Sequence, residues 1–410
     1  MGFEHGPFLA QQDGGLIPNP LSWNKKHTVV YFEQPAGVGF SWSSVPADYD
    51  RYDDNVAAAD NAAFLTAFFA QYPQYQSLPL FLTSESYGGN YIPQAARVVL
   101  DGADARLAAQ LKKGGLAVGN PVFSIDEQAT FSDIMSAVTA EILFGRALLP
   151  LEFVTRYRAA NCSTLNQPPA CGALTTEMFA LAGTCWEGNT YEGNDCGDNM
   201  YSSPYGNASL GLAVAPTQDV DAQWTQWLNR PDVQLAIHAK PPRAPWGDCS
   251  SIGYNVTWPS NLPDYAAAFR EGLKVLLFSG DVDVTTCPFA STQVAVEALT
   301  KLPGGQVTQP WSAWTAAGVA GNQTAGYLEI HKAFAFATIK GAGHEAPGFE
   351  PLASFELINA FTRGNLEGLL ASSSRSSSAA AAAAPRARTQ GSVLREALQR
   401  TRAAKGSARR

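Results

Sequence analysis

Three short segments carry side chains that could work together as a nucleophile, a base and an orienting acid. Ser86 lies in Ser84-Glu-Ser-Tyr-Gly-Gly89. A serine among small residues in a strand-to-helix turn projects its hydroxyl. The helix that follows points its N-terminus at the oxyanion formed when that hydroxyl attacks a carbonyl. The segment departs from the G-x-S-x-G pattern, because Ser84 stands where the first glycine belongs. Such a serine needs a base, and the base needs an orienting group. Of the five histidines, His344 stands in Lys340-Gly-Ala-Gly-His-Glu-Ala-Pro347, a glycine-flanked loop of the kind that carries functional groups. His5, His27, His238 and His331 have no comparable setting and read as surface or structural residues. The acid candidates are Asp281 and Asp283 in Ser279-Gly-Asp-Val-Asp283, with Asp281 also suited to capping a turn.

These segments need a scaffold. Residues 28–32, 80–83, 115–119, 275–278 and 334–339 are β-branched, aromatic or otherwise apolar runs of strand length. Helical spacing covers residues 55–69, 91–100, 289–299 and 352–361. Strands alternating with helices of this length predict an α/β fold, with a mostly parallel central sheet and helices on both faces. Each candidate residue then follows a strand. The chain order Ser, Asp, His in that placement is the order of the α/β-hydrolase fold. The alternation dissolves between residues 123 and 224, where helical stretches such as 127–143 mix with Asn/Gly-rich loops. The expected organisation is a hydrolase core of residues 1–122 and 225–368, a cap inserted at 123–224, and a low-complexity basic tail, 369–410, expected to be disordered.

Composition narrows the classes. The 410 residues are 46% hydrophobic, enough to bury a large core, and no apolar run approaches the roughly 18 residues that span a bilayer. A membrane protein is therefore disfavoured. Residues 371–410 carry nine Lys/Arg against one acid, whereas residues 1–370 carry 19 bases against 35 acids. A body at −16 has no reason to seek nucleic acid or anionic lipid. Cys162, Cys171, Cys185 and Cys196 cluster within 35 residues. They form no CxxC pair and have no nearby histidine, so zinc fits poorly and two disulfides stapling the cap fit better. Of the three pairings, the nested one is favoured, with Cys162–Cys196 outside Cys171–Cys185. N-x-S/T matches at Asn161, Asn207, Asn255 and Asn322 join the cysteines in pointing to the secretory route. No charged and then apolar leader stands at Met1, so the chain is expected to begin inside a longer precursor.

Four segments resemble the serine carboxypeptidase family, whose members include vacuolar and lysosomal enzymes. Tyr31-Phe-Glu-Gln-Pro-Ala-Gly-Val-Gly-Phe-Ser-Trp42 is similar to the family's D-x-P-x-G-V-G-F-S-Y, and Ser84 to Gly89 to its G-E-S-Y-A-G elbow. Gly280-Asp-Val-Asp283 and Gly341-Ala-Gly-His344-x-x-Pro347 match its acid and histidine motifs, and Trp227 to Val233 with Trp246-x-x-Cys249 adds a further match. The likeness covers roughly residues 1–365. It implies Ser86 as nucleophile, His344 as general base and then acid, and Asp283 as orienter, with the Tyr87 backbone N–H as one oxyanion donor. It also implies that Glu85 and Glu4, the latter in an E-x-G-P-like segment, recognise the substrate's C-terminal carboxylate. A carboxyl donates to a carboxylate only when protonated, and two facing acids raise one another's pKa, so peptidase activity is expected to be favoured at acid pH.

The implied reaction needs no metal or organic cofactor. Its substrates are peptide or protein C-termini, with neither nucleic acid nor membrane as partner, and a homodimer is compatible with the sequence. The implied location is vacuolar, lysosomal or extracellular. Three departures accompany the likeness. The family's N-G-G-P-G-C-S-S segment, which supplies a second oxyanion N–H and a carboxylate-binding asparagine, is expected upstream of Met1 together with the sheet's first strands. Cys249 resembles the cysteine that pairs with that segment. Cys287 lies one residue beyond the position of a free thiol in some members and reads as a bystander. Two other readings stay open. One is a serine-carboxypeptidase-like acyltransferase using sugar esters, whose elbows often carry Asp where this chain has Glu85. The other is a non-catalytic remnant or binding protein.

Overall fold

A computed structural model of the chain describes residues 4–370, apart from 12, 123–132, 146, 163–167, 183–219, 241–243, 248–251, 284–285 and 319–320. Near its start, β1 (Phe8–Ala10) and β2 (Leu16–Pro18) form an antiparallel pair. The two-residue strand β3 (Tyr52–Asp53) reaches across the molecule to pair in parallel with β6 (Tyr254–Asn255). The central sheet contains β4 (Phe81–Glu85), β5 (Gly115–Gly119), β7 (Lys274–Gly280), β8 (Val307–Gly318), β9 (Gly321–His331) and β10 (Phe334–Ile339), in the order β4-β5-β7-β10-β9-β8. The first four of that order are parallel, and β9 and β8 add an antiparallel hairpin. The sheet is thus mixed, with a parallel block at one side.

Every residue of β5 and β10 is buried, which is why both read as continuous apolar runs; a strand covered on two faces has no solvent side to alternate toward. Successive side chains still point to opposite faces. Leu116 and Val118 meet Leu65 and Phe69 of helix α1 (Asp54–Gln71), Val99 of α2 (Gly88–Asp101) and Leu111 of α3 (Ala105–Lys113). Ala117 faces the other way, into a cluster with Leu276, Phe278, Ile339 and Leu357 of the helix Pro351–Thr362. The parallel strands are therefore clamped between two apolar layers. Their C-terminal ends emerge together at one edge of the sheet, where ligand sites of open α/β sheets form.

Two expectations from the sequence need correction, and one element of the sheet had no counterpart among them. Residues 28–32 form no strand, and Val30 and Phe32 are each 42% exposed. β-propensity reflects the fit to a pleated surface, and this run has no ladder partner; Phe32 stacks on Phe64 of α1 at 4.1 Å instead. The β8–β9 hairpin was not predicted, because Pro310 and the Ser/Thr/Ala-rich run around it look unlike a strand. The proline is tolerated because β8 is an edge strand. The nested disulfide pairing is also wrong, since Cys162 bonds to Cys171. Cys162 follows the helix Leu151–Ala159 and Cys171 opens the helix Ala170–Ala182, with 5.4 Å between their Cα atoms, well within bridging range. Both cysteines sit in a small apolar cluster with Leu143, Phe153, Tyr157 and Met178. Cys185, Cys196, Asn207, Cys249 and the tail from residue 371 lie outside the described residues. Among the described residues no helix is long and apolar enough to cross a membrane.

Candidate active site

β4 delivers Glu85 to the edge of the sheet, and the chain turns sharply at Ser86 before α2 begins at Gly88. Ser86 has φ 55°, the left-handed region that side-chain-bearing residues avoid. Its backbone is held there by bonds to the neighbouring crossover: Ser86 N donates to Gly119 O at 3.0 Å, and Val122 N donates to Ser86 O at 2.9 Å. Such strain persists only where the surroundings over-determine it. A Cβ at Gly88 would overlap the Ser84 hydroxyl. The absent side chain at 88 makes the room that lets serine stand in the first glycine position of the motif. Among the described residues the Tyr87 N–H has no acceptor, so it points from the start of α2 as a free donor beside Ser86.

The base and acid come from the next strands. Asp283 follows β7 and His344 follows β10, and His344 Nδ1 meets Asp283 Oδ2 at 2.7 Å. Asp283 is fully buried. Its carboxylate also accepts from Asn120 Nδ2 at 2.8 Å and from the backbone N–H groups of Thr286 and Cys287 at 3.1 Å. The companion Asp281 does the work of a turn cap, with its Oδ1 accepting from Gly341 N at 2.7 Å. The buried Cys287 lies beside Ser86 and Asp283, and among the described residues the Ser86 hydroxyl makes no hydrogen bond to His344. Burial, with Asp283 beside it, pushes the Cys287 thiol well above its ordinary range, so this thiol stays protonated.

An acidic cluster adjoins this group. Glu85 shares a side-chain hydrogen bond with Glu4, and Glu345 and Asp283 lie close enough to repel its charge. Burial first, and then these neighbours, push the Glu85 carboxyl well above the usual carboxylate range. Its Oε1 stands 3.9 Å from His344 Nε2. A cleft of about 1170 Å³ opens beside it, lined by Glu4, Glu85, Tyr91, Phe64, Phe68 and Phe81 among others.

Residues 1–364 match the family model described as "Serine carboxypeptidase". The chain belongs to the serine carboxypeptidase family. It is 30% identical over 387 residues to serine carboxypeptidase-like 25 of Arabidopsis thaliana, spanning 88% of this chain and 77% of that protein. Serine carboxypeptidase 24 of the same plant is 29% identical over 374 residues, with 88% and 78% covered. Among solved structures, Kex1(delta)p, a prohormone-processing carboxypeptidase from Saccharomyces cerevisiae, superposes with a TM-score of 0.63 at 16% identity, covering 88% of this chain and 79% of that one. That likeness supports the α/β-hydrolase fold.

In this member of the serine carboxypeptidase family the structure thus gathers Ser86, Tyr87, Asp283, His344, Glu4 and Glu85 at one edge of the sheet. The remaining histidines serve elsewhere. His5 stacks on Trp23 at 3.8 Å, and burial pushes its pKa down to about 3. His27 meets Asn359, His331 meets Gly305 O, and His238 is exposed. Sequence reading missed Asn120, which has φ 37° and is fully buried. Its Nδ2 holds Asp283 while its Oδ1 accepts from Gly280 N at 3.1 Å. The available signal was an Asn-Pro pair at the end of β5, a residue type that tolerates left-handed backbone. Glu345 and Asp54 were missed as well, since nothing local marks either.

Proposed function

We propose that this protein hydrolyses the C-terminal peptide bond of peptides through an acyl-enzyme on Ser86, with activity favoured at acid pH. The observation that carries this reading is the position of Glu85. It adjoins the nucleophile in sequence, faces His344 Nε2 and is driven toward its protonated form by burial and by Glu4 and Glu345. A neutral carboxyl in that position can donate a hydrogen bond to a substrate's free carboxylate, which an ionised one would repel.

In the proposed cycle the Ser86 hydroxyl turns to His344 and attacks the carbonyl carbon as Nε2 takes its proton. Asp283 on Nδ1 fixes the tautomer and stabilises the imidazolium. The oxyanion receives the Tyr87 N–H. His344 then gives its proton to the leaving amine, and the C–N bond breaks to leave an ester on Ser86. Water, deprotonated by His344, cleaves that ester and restores the hydroxyl. Residues 123–224 act as a cap over a core of 1–122 and 225–368, and the Cys162–Cys171 bond supports passage through an oxidising, secretory compartment.

The test compares a blocked dipeptide bearing a free C-terminal carboxylate with its amide across pH. Ser86→Ala should lower kcat by at least about 10⁴-fold. For the free acid, KM should rise as pH climbs through the raised pKa of Glu85, while the amide responds less. Unchanged hydrolysis in Ser86→Ala would overturn the proposal.

A further inference from the structure

We propose that Asp54, the first residue of α1, is a positioning residue that holds the Tyr87 side chain and thereby aims the Tyr87 N–H at the oxyanion. The proposal rests on the acyl-enzyme reading of Ser86. Asp54 is fully buried, and it takes part in none of the ion pairs among the described residues. Five donors surround it instead. Its Oδ1 accepts from the Tyr87 hydroxyl at 2.7 Å and the Tyr254 hydroxyl at 2.8 Å. Its Oδ2 accepts from Thr257 N at 2.6 Å, Thr257 Oγ1 at 3.1 Å and Trp258 N at 3.0 Å. The N-terminus of α1 adds the positive end of a helix dipole. Hydrogen bonds to an ionised acceptor are shorter and roughly twice as strong as neutral ones.

This convergence ties three segments to one carboxylate: the start of α1, the residue after the nucleophile, and β6 with the residues that follow it. The pairing of Tyr52 with Tyr254 fixes the last of these. The rings of Tyr87, Tyr91 and Tyr254 meet edge to face, with centroids 5.0–6.1 Å apart, so Tyr87 has one packed position. Burial and the bond to Asp54 push the Tyr87 hydroxyl further above its ordinary range, which keeps it a donor.

The elbow explains why such a hold matters. Ser86 is held at φ 55°, and any rotation of the peptide that follows it would swing the Tyr87 N–H away. On the carbonyl side this peptide is held at Ser86 O, which accepts from Gly89 N at 3.0 Å and from Val122 N at 2.9 Å. On the amide side nothing among the described residues accepts the N–H, and the side chain's anchor on Asp54 holds the Cα to which that N–H is attached. A displacement near 1 Å at a reacting centre can cost on the order of 100-fold in rate.

The experiment uses the full chain with Asp54→Asn, Tyr87→Phe and the double variant. It reads kcat and KM on the blocked dipeptide, the affinity of a peptide boronic acid that forms a tetrahedral adduct on the serine, and Tm. Each single variant should lower kcat by roughly 10- to 50-fold with KM within about threefold, and boronate affinity should fall in parallel. The double variant should be no slower than Asp54→Asn alone. A fall in Tm with kcat and boronate affinity unchanged would reduce Asp54 to a structural anchor and overturn the proposal. If Asp54→Asn does not fold, Tyr87→Phe decides, because it removes one hydroxyl and no apolar contact. If the wild type cleaves no dipeptide, the carboxypeptidase reading fails on its own, and the rate at which a fluorophosphonate labels Ser86 becomes the readout. Labelling slowed about tenfold in Tyr87→Phe supports the positioning role and unchanged labelling refutes it. No labelling of folded wild type overturns both.

Discussion

Two buried polar assemblies flank α2, and they are finished to different standards. At its N-terminal end, Asp283 has a donor on every side: His344, Asn120 and two backbone N–H groups. Along its length, Asn90, Gln94 and Arg97 meet Asn261 and Asp264. There Asp264 Oδ1 has only a 3.3 Å contact to Arg97, and Asp264 Oδ2, Gln94 Oε1 and Asn90 Nδ2 find no partner among the described residues. A satisfied network fixes geometry, whereas an unsatisfied one carries a standing cost. Burial accordingly pushes Asp264 up to about 6, with Arg97 opposing the shift without cancelling it. The first assembly is built to hold a histidine in place; the second makes stability depend on pH.

Variants can break that contrast. The largest effect is expected from Asp283→Asn, which keeps the shape but permits the wrong histidine tautomer. The value of kcat should fall on the order of 10⁴-fold, and Tm should fall as well because the amide NH2 must face one of the donors around Asp283, measured by steady-state kinetics and thermal melts on the same preparation. Asn120→Ala removes one donor from Asp283 and the acceptor of Gly280 N. It should lower kcat by roughly tenfold and stability by about 1–3 kcal/mol, read by kinetics and urea unfolding. A pure stability loss would place Asn120 outside the first assembly.

The smallest kinetic effect is expected from Asp264→Asn. The folded-state pKa of Asp264 lies above its ordinary value, so its stabilising contribution is fully present below about pH 4 and is lost as pH rises through about 6. That loss is on the order of 3 kcal/mol. Glu85 shifts in the same direction, so wild-type stability should decline from pH 4 toward 7 and the variant should decline less, with kcat at a fixed pH unchanged. Equal slopes in the two proteins would show that Asp264 is not the source.

Much of the sheet was legible because two-sided burial writes itself as apolar runs: β5, β7 and β10 were all visible, and so was α1 with its helical spacing. The β8–β9 hairpin was not, since an edge strand tolerates Pro310 and polar residues that a central strand would reject. Residues 28–32 failed in the opposite direction, having strand composition without a neighbour to pair with. The candidates Ser86, His344 and the pair Asp281 and Asp283 could be named from short motifs, because small or acidic neighbours mark their turns, whereas the choice of Asp283 and the naming of Glu85 and Glu4 rested on the family resemblance. Asn120 and Asp54 could not, because their roles depend on what faces them across the fold.

The sequence by itself determined which residue types stand at the ends of the strands, their order Ser, Asp, His, and the acids beside the serine. Only the tertiary structure decided which groups touch. His344 and Asp283 are 61 residues apart in the chain, and Asp54 takes donors from 33 to 204 residues away. Local propensity sets backbone dihedrals within an element. Hydrogen bonds across such separations exist only after loop closure has been offset by the burial of the two apolar layers that clamp the parallel strands.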